Sequence, residues 1–134
     1  MRVVDIAGAI RPAELSKIAE ERSGRSFQHK QLAEGGWVKL TFFEQMANTG
    51  SEVIRAIKWR DRGRTDHASA ASDRALELLW LTIDDPRNRH RLRELCRLYE
   101  CLADYLYCDN EYSTDPEGLK KYFLAFNYAA RLGR

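Results

Sequence analysis

The chain has 134 residues, 44% of them apolar and 31% charged, which fits one folded domain and excludes a disordered chain. The net charge of +2 is too small to imply nucleic acid by itself, so any such reading depends on where the cations lie. No apolar run approaches the roughly 20 residues of a membrane span, and MRVVDIAGAIRPAEL lacks the apolar length of a secretory leader.

The N-terminal segment, residues 1–37, is the least coherent part. Residues 2–6 show the only strand-like alternation, and residues 11–22 read as a short amphipathic helix ending before Gly24. Residues 23–37 read as a loop. Glu34-Gly35 can be written in purine-rich codons ahead of a GTG at Val38, an arrangement that would permit a start there. The second unit, residues 38–134, divides at Gly and Pro into four helical stretches.

The first stretch opens with TFFE at residues 41–44, a capping box. It carries apolar residues at Phe43, Met46, Ala47, Val53, Ile54 and Ile57, and Gly63 is expected to stop it. Its weak point is ANTGS at residues 47–51, where Gly50 costs on the order of 1 kcal/mol in a helix. Close packing of another helix against Gly50 is the simplest reason for it, with a kink or a small-ligand approach as alternatives. The second stretch starts near Thr65 or Asp66 and is expected to bury Ala68, Ala71, Ala75, Leu78, Leu79 and Thr82. The third takes Asp85 as N-cap and Pro86 in its first turn. Its core stripe is Leu92, Leu95, Cys96, Tyr99, Leu102, Ala103 and Leu106. The fourth begins with TDPE at residues 114–117, read as a second capping box, and continues through Leu119, Tyr122, Phe123, Phe126 and Ala129. Short connections between long helices favour antiparallel neighbours. The expected fold is all-α, an up-down-up-down four-helix bundle with an additional N-terminal segment.

Several chemistries lack their residues. The three cysteines, Cys96, Cys101 and Cys108, have no Cys-x-x-Cys or Cys/His pairing of the kind zinc sites use, and no secretion signal accompanies their odd count. Reduced thiols in a cytoplasm are therefore expected. Carboxylate metal sites in bundles call for Glu-x-x-His pairs, but Ser26, Arg64 and Arg87 precede His29, His67 and His90 at that spacing. No phosphate loop, dinucleotide fingerprint or nucleophile elbow occurs. No metal, cofactor or catalytic residue is expected.

The stretches MANTGSEVIRAIKWR, DRALELLWLTIDDP, RLRELCRLYECLADYLYCDNEY and KYFLAFNYAARLGR resemble an uncharacterised prokaryotic family of small helical proteins, over residues 42–132. That resemblance implies the helical fold and no particular activity. More distantly, the chain is similar to HEPN-like four-helix bundles, many of which cut RNA or partner minimal nucleotidyltransferases. Their signature, Arg and His separated by four to six residues, occurs at Arg62 and His67, Arg60 and His67, and Arg22 and His29, all early in the chain.

Residues 87–97 read RNRHRLRELCR, with five arginines. If helical throughout, Arg89, Arg93 and Arg97 share a stripe continued by Glu100 and Asp104. One reading is a solvated face with Arg–Glu pairs. The functional reading places Arg87, Arg89, Arg91 and Arg93 beside Arg131 at one bundle end, as an anion or RNA site. Lys58, Arg60, Arg62 and Arg64 would occupy the other end, balanced by Asp109, Glu111, Asp115 and Glu117. A competing feature is a second apolar strip, Leu98, Cys101, Tyr105 and Cys108, with Trp80 widening the arc of the neighbouring helix. A helix apolar on two sides is buried on two sides, so a homodimer interface is expected there. The leading expectation is a cytoplasmic, non-catalytic, homo-oligomeric interaction module with a possible protein partner; the alternative is RNA binding through the arginine-rich end.

Overall fold

A computed structural model describes residues 35–132. The strand-like residues 2–6 and the helix expected at 11–22 lie outside the described residues. Four helices follow a 3-10 turn, Trp37–Lys39: α1, Phe42–Asp61; α2, Thr65–Asp84; α3, Leu92–Tyr107; and α4, Pro116–Leu132. The fold is all-α, and among the described residues there is no strand.

Helix α1 starts as its sequence dictates. Thr41 Oγ1 accepts from the Glu44 backbone N–H at 3.1 Å, and the Thr41 N–H donates to Glu44 Oε1 at 2.9 Å, the two bonds of a capping box. It ends at Gly63, whose φ of +73° supplies the left-handed turn into α2. The polar residues of its weak stretch bond backwards along the helix: Asn48 Nδ2 to Glu44 O, Thr49 Oγ1 to Gln45 O, and Ser51 Oγ to Ala47 O. Gly50 is the point of closest helix approach. A Cβ there would stand 2.5 Å from Phe123 Cβ on α4, so close packing accounts for the glycine.

The helices are antiparallel neighbours in an up-down-up-down bundle. Helix α1 packs against both α2 and α4, and α2 packs against α3. At one end Arg60 Nη1 on α1 donates to Tyr105 O on α3 at 2.8 Å. At the other end Arg91, just before α3, lies 4.2 Å over the Phe42 ring at the start of α1. Helices α1 and α3 thus run in the same direction. Helix α2 is the central element, with Leu76 through Ile83 buried without interruption. The expected α2 and α3 core stripes are buried apart from half-buried Ala68, Leu92 and Leu106, whereas Phe43 of the α1 set remains 44% exposed.

Four sequence expectations need correction. Residues Pro86–Arg91 form a 3-10 helix, and α3 begins only at Leu92. Asp85 does cap this turn, accepting from Arg87 N at 3.0 Å. The three-residue repeat directs both Asn88 and Arg91 at the bundle, and Asn88 is fixed there by donating to Thr82 O and Gln45 Oε1. Glu100 and Asp104 do not continue an exposed arginine stripe. Both are buried, because the chain after α3 folds back over them: Asp104 accepts from the Glu111 and Tyr112 N–H groups, and Glu100 accepts from Tyr112 Oη. The start of α4 is capped by Asp115 rather than Thr114, with the Glu117 and Gly118 N–H groups on its carboxylate. Thr114 instead donates its N–H to Asn110 Oδ1 at 2.8 Å. Finally, Trp37, read as the end of a loop, opens a 3-10 turn and packs into the core of the bundle. It is 2% exposed and donates Nε1 to Thr82 Oγ1 at 3.0 Å.

Candidate interaction surfaces

The arginine-rich end forms from three elements: the start of α1, the 3-10 helix Pro86–Arg91, and the second half of α4. Phe42 links them, since Arg91 lies over its ring and Phe126 of α4 meets it edge-on at 5.7 Å. The sequence-predicted arginines differ in what they do there. Arg87 is a structural residue, donating to the buried Asp85 carboxylate at 2.7 Å and to Leu40 O at 2.7 Å. Arg91 is half-buried against Phe42. Arg89, Arg93 and Arg131 are exposed, and among the described residues no carboxylate lies within ion-pair distance of them.

Beneath this surface lies a buried polar network that sequence reading missed. Gln45 Nε2 donates to Trp37 O at 3.0 Å and to Asp85 Oδ2 at 2.9 Å, while Gln45 Oε1 accepts from Asn88. Burial alone would raise the Asp85 carboxyl. The bonds from Arg87 and Gln45 outweigh it and hold the pKa below the usual aspartate value. Its donors and acceptors are matched inside the chain, so the network serves to fasten the Trp37 turn to α1 and α2. A second missed element is Glu52, buried on α1 and ion-paired with Arg74 of α2 and Arg55. The only sequence signal for either was a polar residue at a core-facing helical position.

The opposite end carries Lys58, Arg60, Arg62 and Arg64. Arg60 is held by Tyr105, over whose ring it also lies at 4.8 Å. Arg62 and Arg64 both lie 5.7 Å over the Trp59 ring, which stacks on His67 at 4.5 Å. Arg64 Nη2 is 2.8 Å from His67 Nε2, and Asp66 is nearby. Two of the four expected balancing carboxylates have other work: Asp115 caps α4 and Glu117 pairs with Lys120.

The five residues of the expected dimer strip are distributed unevenly. Trp80 and Tyr105 are buried within the chain at 8% and 7% exposure, Leu98 and Cys101 are half-buried, and Cys108 is exposed. Burial pushes the Cys96 and Cys101 thiols above their ordinary range. The most exposed apolar surface lies instead on α4, where Leu124, Tyr128 and Leu132 are 50%, 66% and 68% exposed. They recur every fourth residue and span an arc of about 80°. Sequence reading assigned the core side of α4 and left this outer side unremarked.

Among the described residues no group of His, Cys, Asp and Glu is placed to hold a metal ion, and no helix is long and apolar enough to cross a membrane. No protein-family model, curated protein or solved structure matches the chain.

Proposed function

We propose that this protein is a non-catalytic interaction module that docks a partner protein through the outer face of α4. One observation carries the reading: three large apolar side chains on one helix face are half to two-thirds exposed, whereas most other large apolar side chains among the described residues belong to the core. The polar chemistry supports a non-catalytic role, since Asp85, Gln45, Asn88, Glu52 and Asp104 all serve helix caps, cross-links or turns. Three free thiols suit a reducing compartment, so the cytoplasm is the proposed location. The homodimer expectation loses weight, because burial of Trp80 and Tyr105 removes much of the apolar area that motivated it.

Photo-crosslinking in cells tests the reading. A photoreactive amino acid at Tyr128 should yield discrete adducts, and the same group at Ser51, exposed on α1, should yield none. Equal adduct patterns from the two positions would overturn it. The second reading is RNA binding, favoured by the exposed Arg89, Arg93 and Arg131.

A further inference from the structure

We infer that the partner segment is an amphipathic helix with acidic flanks, seated along the ridge Leu124, Tyr128 and Leu132. This rests on the docking reading above and names its occupant. The ridge is one row of the i, i+4, i+8 kind, about 12 Å long, which is the row that interdigitates when two helices pack. Beside it runs a second row, Lys121, Ala125 and Ala129, in which two small side chains leave a groove for a partner's ridge. The fit is therefore to a helix.

Charge decides which helix. From Gly118 to the C-terminus the sequence contains Lys120, Lys121, Arg131 and Arg134 and no acidic residue. Lys120 is occupied by Glu117, at 3.2 Å. Lys121 and Arg131 are exposed on the same outer side as the ridge. A second copy of this chain would set cation beside cation, since the one carboxylate of α4, Glu117, is already engaged by Lys120, and like charges across a contact disfavour it. A membrane surface fits less well, since interfacial helices bury a broad apolar face and this one is a single narrow ridge. A helix with apolar anchors between glutamates or aspartates satisfies both the ridge and its cations.

The probe is a labelled helical peptide of about 20 residues, long enough to hold helix in water, with leucines four residues apart and glutamate flanks. A control peptide carries lysine flanks. Titrated by fluorescence anisotropy against the full chain at low salt, the glutamate peptide should bind at least about tenfold more tightly than the lysine peptide. Leu124→Ser and Tyr128→Ser should each weaken it by about tenfold or more. Both side chains are already exposed, so circular dichroism should show the helices intact. Equal binding of the two peptides, or binding that ignores both substitutions, would overturn the inference.

Two further arms separate it from the reading on which it rests. Sedimentation of the protein alone and co-flotation with phosphatidylglycerol vesicles should show a monomer that stays off the vesicles. Self-association or vesicle binding that Tyr128→Ser abolishes would overturn the acidic helix while leaving α4 as the docking face. Failure of every arm to respond to Tyr128→Ser would overturn both.

Discussion

Gly50 and Phe123 fix the distance between α1 and α4, and the atom that a Gly50 Cβ would meet first is Phe123 Cβ, which no rotamer change can move. Gly50→Ala gains about 1 kcal/mol of helix propensity and still has to force two backbones apart. The variant should be destabilised by about 1–3 kcal/mol in urea unfolding, the range for overpacking a core; a more stable variant would show that the approach is looser. Asp85 governs the other critical point. Its removal in Asp85→Ala takes away the cap of the 3-10 helix and a partner of Gln45 and Arg87, at about 2 kcal/mol. The same carboxylate makes stability depend on acid. Its folded pKa is depressed below the value of about 3.9 in an unfolded chain, so its contribution is complete above that value. The contribution is lost as pH falls through the folded pKa. Between pH about 5 and 2, the wild type should therefore lose more stability than Asp85→Ala, measured by urea midpoints at each pH. Parallel curves would show that Asp85 is not a linked group.

The four helices were legible because each has its stop or start written locally. Thr41 with Glu44, Gly63, and Pro86 after Asp85 mark boundaries by chemistry confined to a few neighbouring residues. What was not legible depends on contacts from far along the chain. Residues 86–91 have an ordinary helical sequence, and it is bonds from Asn88 to Thr82 and Gln45 that accompany the tighter turn. Glu100 and Asp104 sit on the wheel where a solvated face belongs, and only the return of Glu111 and Tyr112 over them explains their burial. The outer side of α4 failed differently: Leu124, Tyr128 and Leu132 were readable, but the core stripe beside them absorbed the apolar pattern. Helix α3 offers a direct test of which face is covered, because its two cysteines and Cys108 just past its end sample burial. Cys108 is exposed, Cys101 is half-buried and Cys96 is buried, and burial raises the thiols of the latter two. With a thiol-specific chromogenic reagent at neutral pH, Cys108 should react first, Cys101 more slowly, and Cys96 only on unfolding. Early modification of Cys96 would mean that α3 is oriented otherwise.

At the scale of the whole molecule, a net charge of +2 conceals two cationic ends of different character. Around the turn between α1 and α2, Arg62 and Arg64 lie over Trp59, and Arg64 has Asp66 and His67 as further neighbours. Around the start of α3 and the end of α4, Arg87 is tied to Asp85, but Arg89, Arg93 and Arg131 stand exposed without a carboxylate among the described residues. A guanidinium already engaged with a ring and a carboxylate must give up those contacts to meet an external anion, whereas a free one gives up only water. The second end should therefore dominate adsorption to a polyanion. On a heparin column, replacing Arg89, Arg93 and Arg131 with glutamate should lower the eluting salt concentration more than replacing Arg62, Arg64 and Lys58, although both triples change the net charge by the same amount. The substitutions lie at exposed positions, so both variants should keep their helical circular dichroism. Equal shifts would mean that adsorption follows net charge alone, and a larger shift from the Arg62 triple would move the anion-attracting surface to the Trp59 end.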